Sequence, residues 1–292
     1  MNLNKFFKVW IGFLTHTPLY LGFLSAGLVF TTSEYYNLTL PVTFYFFVFF
    51  ATFFVYNLDR IFSVKIDFRN QPARTRFFSE NRRFIIFSMV ITVPVLFFPV
   101  FFYTRSFLTI NAVLFLISVA YIYIYSGLKR EANLRYLAIL KPLLIGVVWA
   151  SVVLILPFSL NQEFRLPESV LYLFTFRFFL YASNAILFDL KDVPGDVESG
   201  KLNFTVWAGK RYIYIYMAGF TIAGAYFLTE WYNFGGNYTN LAGEVLSLIC
   251  LICIIVYSFF RGLKFRSELS YLLILDGILF FPVITSLLRA AF

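Results

Sequence analysis

Runs of about 20 apolar residues recur from one end of this chain to the other, the length an α-helix needs to cross the hydrocarbon core of a bilayer. Nine such segments can be drawn, at approximately 10–30, 40–60, 83–103, 107–127, 136–157, 169–189, 205–228, 241–260 and 271–290. Between them there is no stretch long enough for a soluble domain, no low-complexity tail and no flexible linker. Charged residues make up only 13% of the 292, hydrophobic ones 60%, and the mean hydropathy is +0.78; a soluble domain carries roughly 25% charged residues. A transmembrane β-barrel would alternate apolar and polar residues in strands of about 10 residues, and this sequence does not. The expectation is therefore an all-α polytopic membrane protein of nine transmembrane helices, forming one domain over residues 1–292.

The cations fall where such a topology needs them. All but four of the 24 Lys and Arg lie at the N-terminus or in the second, fourth, sixth and eighth connections. Those segments share one side of the membrane if nine helices start from an inside N-terminus. The four others are Arg105 and Arg165, in opposite loops, and Arg177 and Arg289, within spans. The positive-inside rule then places the N-terminus and the polar connections in the cytoplasm, with the bilayer a bacterial inner or cell membrane. The connection around 61–82 is long enough for a lid or a short amphipathic helix.

Several readings fall away. The net charge of +9 is scattered over short loops, which argues against a nucleic-acid partner. Cys250 and Cys253 form a CxxC, but inside an apolar run, where they act as small buried hydrophobes. The single histidine, His16, interrupts the first run and is assigned no role. The N-terminal apolar stretch is long, is interrupted by Thr15-His16-Thr17-Pro18, and lacks a clear small-residue cleavage site, so it reads as a retained first helix.

The chemistry concentrates where the sixth span ends. Asp189, Asp192 and Asp196 lie within eight residues, three and four positions apart, so on a helix they crowd one another. Carboxylates at a membrane are costly without a compensating cation. A divalent metal relieves their repulsion, and Pro194-Gly195 is expected to break the helix and let Asp196 turn back toward the others. This suggests a Mg²⁺ clamp, and Mg²⁺ commonly arrives with phosphate. On the same side, the second connection carries Asn57, Asp59, Ser63 and Asp67, with Arg60 and Lys65 between them. The fourth ends in Tyr125-Ser126-Gly127-Leu128-Lys129-Arg130, and the sixth continues to Gly200-Lys201. Two acidic clusters and a basic pair on one face can grip a diphosphate, polarise it as a leaving group and stabilise the charge that develops as a C–O bond breaks. The abundant aromatic faces suit an allylic cation.

At these residues the sequence resembles the UbiA superfamily of intramembrane prenyltransferases. Asp189, Asp192, Gly195, Asp196, Gly200 and Lys201 follow that family's second aspartate-rich pattern, with Thr205 and Gly209 beyond it. Tyr125, Lys129 and Arg130 are similar to its tyrosine-then-basic element. The resemblance implies a nine-helix bundle around a central cavity. It also implies Mg²⁺ held by Asp59, Asp67, Asn57, Asp189, Asp192 and Asp196, and diphosphate contacts from Arg60, Lys129, Arg130 and Lys201. Its implied activity is transfer of an isoprenoid from a polyprenyl diphosphate to a lipophilic or aromatic acceptor. The first motif departs from the family: four-residue steps from Asn57 reach Ile61 and Lys65, and from Asp59 they reach Ser63 and Asp67, so a middle carboxylate is missing. Two related readings stay open, a terpene cyclase and a non-catalytic transporter or scaffold.

Within the sixth span, Arg177, Tyr181, Asn184 and roughly Asp192 share a stripe, and with Tyr125 they are candidates for the substrate pocket. Arg177 can equally hold a structural partner, for which Asp276 in the ninth span is the obvious intramembrane acid. The acids themselves may be read as ion pairs with Lys191, Lys201, Arg60 and Lys65, and Lys129 and Arg130 as topology determinants only.

Overall fold

The computed structural model describes residues 16–67, 70–127, 135–200, 203–235, 238–263 and 268–291. Among these residues every regular element is helical: α1 (Leu19–Tyr36), α2 (Val42–Asp67), α3 (Pro72–Glu80), α4 (Arg82–Phe97), α5 (Arg105–Gly127), α6 (Arg135–Ala150), α7 (Glu168–Ser199), α8 (Phe204–Asn233), α9 (Tyr238–Arg261), α10 (Glu268–Leu275) and α11 (Phe281–Ala291). A π-helical stretch at Ser151–Ile155 and a short turn at Leu156–Phe158 extend α6. A 3₁₀ segment, Gly277–Phe280, joins α10 to α11.

Eight segments are long and apolar enough to cross a membrane: Val42–Phe62, Arg82–Phe102, Arg105–Tyr125, Leu137–Phe158, Glu168–Glu198, Arg211–Asn233, Asn240–Arg261 and Leu273–Ala291. They match eight of the nine expected spans. The expected first span, 10–30, lies partly outside the described residues, and its described part, α1, is not one of the eight. Its polar residues Ser25, Thr31, Thr32 and Ser33 are buried.

The helices close on themselves. Around the bundle α1 packs on α2, α2 on α5, α5 on α6, α6 on α7, α7 on α8, α8 on α9, α9 on α11, and α11 back on α1; α4 rests outside against α2. With no water to drive apolar helices together, close approach and buried polar groups supply the adhesion. Thr32 of α1 donates to the Val153 carbonyl at 2.7 Å, inside the π-helical stretch whose altered ladder leaves that oxygen accessible. Large apolar side chains such as Phe23, Phe101, Tyr123 and Phe260 are exposed on the outside, as a lipid-facing surface requires. Cys253 is exposed there too, where the sequence suggested burial.

Near its end α7 does not break as expected: it runs through Pro194 and Gly195 to Ser199. Pro194 removes one ladder hydrogen bond, but the helix beyond it is pinned from outside. Asp196 accepts from Asn70 Nδ2 at 2.9 Å and from Asn203 Nδ2, and Asn70 lies so close over Gly195 that a Cβ there would collide with it. Asn203 in turn caps α8, accepting from Val206 N–H at 2.7 Å and from the Thr205 hydroxyl at 2.8 Å. Gly209 then kinks α8 at φ +76°, ψ 156°, a conformation closed to residues with a Cβ.

Candidate active site

A cavity of about 220 Å³ lies inside the ring, lined from α1, α2, α3, α5, α6, α7 and the α10–α11 junction. Its acids are Asp59, Asp189, Asp192 and Asp276; its cations are Arg60, Arg74 and Lys141; its aromatic faces include Tyr56, Tyr121, Trp149 and Tyr181. Two apolar crevices of about 110 and 90 Å³ share lining residues with it and with each other. The shared residues include Tyr56, Asp59, Tyr121 and Trp149 for the first and Val55, Ser118 and Val148 for the second. The polar chamber thus continues into apolar space between α2, α5 and α6, down to Phe47, Leu114 and Leu156.

Each polar group has a local reason for its position. Asp189 and Asp192 are one turn apart on α7 and therefore share a face. Lys141, mostly buried on α6, pairs with Asp189 Oδ1, while Lys191 lies 3.2 Å from Asp192. Thr205 donates to the Asp189 carbonyl at 3.1 Å, tying the start of α8 to this turn. Arg60 donates to the His16 carbonyl at 2.6 Å and sits 5.5 Å from the Phe78 ring, so α3 covers the chamber partly through Arg60. Gln71 and Arg74 reach the lining from the same amphipathic helix and its N-cap. Trp149 donates to the Tyr56 hydroxyl at 2.7 Å and stands 5.9 Å from the Tyr181 ring.

The expected site residues divide. Asp59, Arg60, Tyr125, Tyr181, Asn184, Asp189 and Asp192 line the cavity. Asp196 does not; its carboxylate is engaged by Asn70 and Asn203, because the unbroken helix carries it past the chamber to the α7–α8 junction. Asn57 is buried outside the lining and bonds the Phe53 carbonyl of its own helix at 2.9 Å. Arg177 is not in the lining either. Its guanidinium meets Glu244 of α9 at 2.5 Å and donates to Thr31 at 3.2 Å and Thr32 at 3.4 Å. The acid it pairs with is therefore Glu244 and not Asp276. Lys129, Arg130 and Lys201 lie outside the described residues, as does the side chain of Asp67, which ends α2. Lys141, Arg74, Tyr56, Tyr121, Trp149 and Asp276 were not anticipated. Lys141 had a signal: counted with the fourth connection, it lies inside the span drawn at 136–157, where a cation is a functional candidate by default.

The donor set fits Mg²⁺ in one form. Among the described residues no three His, Cys, Asp or Glu side chains cluster closely enough to cage an ion. Asp189 Oδ2, however, is buried without a hydrogen-bond partner there, and Asp192 and Asp59 line the same chamber. Mg²⁺ is commonly held by one or two carboxylates plus substrate phosphates. Asp189 and Asp192 suit that arrangement.

The fold is one already known. The chain matches a UbiA homolog from Aeropyrum pernix K1 with a TM-score of 0.71 and 12% identity, over 94% of this chain and 99% of that one. It matches a digeranylgeranylglyceryl phosphate synthase with a TM-score of 0.59 and 16% identity, over 97% and 99%. No family model and no curated protein matches the sequence. The likeness is one of fold: this is an all-α membrane protein with the UbiA architecture.

Proposed function

We propose that the protein is an intramembrane prenyltransferase of UbiA type. The observation that carries this reading is the joining of a charged chamber to an apolar crevice at Tyr56, Asp59, Tyr121 and Trp149. A polyprenyl diphosphate has the same two halves. Its diphosphate belongs beside Lys141, Arg60 and Arg74, whose charges compensate the phosphate oxygens, and its chain belongs in the crevice. Asp189 and Asp192 would hold Mg²⁺, which when bound would supply positive charge to the leaving group. The allylic C–O bond breaks with both electrons passing to the diphosphate. Tyr56, Trp149 and Tyr181 present ring faces to the carbocation that remains. An acceptor nucleophile then bonds to that carbon and gives up a proton. The proposed orientation puts the charged end of the chamber on the cytoplasmic side.

The test is pyrophosphate release from geranyl, farnesyl and geranylgeranyl diphosphate by the purified protein, with and without Mg²⁺. Release is expected to need Mg²⁺ and to fall at least about a hundredfold in Asp189→Asn and Asp192→Asn. Undiminished release in both variants would remove the site. A cyclised hydrocarbon formed without acceptor would identify a terpene cyclase, and binding without turnover a transporter or scaffold.

A further inference from the structure

Followed along α7, the chamber changes character. Asp189 and Asp192 mark one end; Tyr181 and Asn184 lie one to three turns deeper, up to ~16 Å along the helix axis. Here no lining residue of α7 or of the α10–α11 junction is a cation, and a different set of polar atoms collects. Asp276, 7% exposed, sits where the last span breaks between α10 and the 3₁₀ segment, and it accepts from Asn184 Nδ2 at 3.4 Å. It takes part in no ion pair among the described residues. Arg177, one helical turn from Tyr181, is occupied by Glu244, Thr31 and Thr32. Three further buried atoms belonging to lining residues have no hydrogen-bond partner among the described residues: the Tyr20 and Tyr181 hydroxyls and Asn184 Oδ1.

Buried polar atoms are rarely left unpaired, and irregular backbone at membrane depth is tolerated where it lines a cavity. We infer that this deep end binds an uncharged, hydroxyl-bearing small molecule, whose O–H donates to Asp276 or Asn184 Oδ1 and whose oxygen accepts from Tyr181 or Tyr20. A carboxylate-bearing molecule is disfavoured, since the α7 and α10–α11 lining there offers no cation to compensate its buried charge. Only in calling this molecule the prenyl acceptor does the inference rest on the proposed function. The ligand site itself stands apart from that reading.

The experiment is calorimetric titration of the full chain in detergent with 4-octylphenol and 4-octylbenzoate, without diphosphate. The phenol is expected to bind at least about tenfold tighter, within the cost of burying an uncompensated carboxylate. In Asp276→Ala the phenol should weaken several-fold, and Tyr181→Phe should weaken it likewise. Equal or tighter benzoate binding by the unmodified protein overturns the inference whether or not the variants fold, and so does undiminished phenol binding in a folded Asp276→Ala. Pyrophosphate release measured on the same preparation keeps the two readings apart. Phenol preference without release supports the ligand site and defeats the transferase, whereas benzoate preference with release does the reverse.

Discussion

Three aspartates seven residues apart at most have been given two different occupations. Asp189 and Asp192 face the chamber, while Asp196, one further turn along, accepts from two asparagines that join α7 to the neighbouring segments. Their substitutions should separate accordingly. Asp196→Ala leaves Asn70 and Asn203 without their acceptor, so it is expected to lower unfolding stability by about 1–3 kcal/mol, read as a reduced melting temperature in detergent. Asp192→Asn should melt as the parent does and lose pyrophosphate release. A stable, inactive Asp196→Ala would return that residue to the reacting centre. Lys141 is the residue whose loss should be felt at the diphosphate itself. It is the mostly buried cation on Asp189, and Lys141→Met is expected to weaken pyrophosphate binding about tenfold or more by calorimetry. Unaltered affinity would exclude it from the phosphate end.

At the scale of elements, the ion pair between Arg177 and Glu244 fastens α7 to α9, with Thr31 and Thr32 adding α1. Both side chains are essentially inaccessible, so removing one strands the other. Arg177→Met is expected to destabilise the bundle by about 3–5 kcal/mol. The double variant Arg177→Met/Glu244→Leu should recover much of that, because the uncompensated charge is gone as well. Thermal unfolding of the two single variants and the double variant measures the coupling, and additive losses would mean the pair is not a unit. This pair also shows what a sequence does and does not disclose. Apolar run lengths located eight spans, six of them to within two residues at both ends, because span length is imposed by the bilayer. Helical spacing put Tyr181, Asn184, Asp189 and Asp192 on faces that do meet the chamber. Nothing along the chain pairs Arg177 with Glu244, 67 positions away, in preference to Asp276, since the choice depends on which helices become neighbours in the ring. The continuation of α7 past Pro194 was equally invisible, because it is secured by Asn70 and Asn203 from outside the helix.

For the whole molecule, the closed ring of helices decides how much apolar substrate the chamber can take. The crevice leaves the charged end near Asp59 and stops among Phe47, Leu114 and Leu156, about three turns of α2 away, or ~18 Å. Phe47, Leu114 and Leu156 belong to a buried cluster with Phe44 and Phe107, so the floor is packed core and not lipid. A crevice closed at its foot measures its occupant. Val148 of α6 lines both parts of it, beside the shared Trp149. Val148→Trp would narrow the passage without removing a charged group. Under the proposed function its effect should depend on chain length: geranyl diphosphate keeps its turnover, and geranylgeranyl diphosphate loses about tenfold or more in kcat/KM, the scale on which apolar pockets discriminate. Comparing the two substrates on one preparation cancels any general loss of folded enzyme. An equal decline for both would mean that the isoprenoid lies elsewhere in the bundle, and the crevice would then need another occupant.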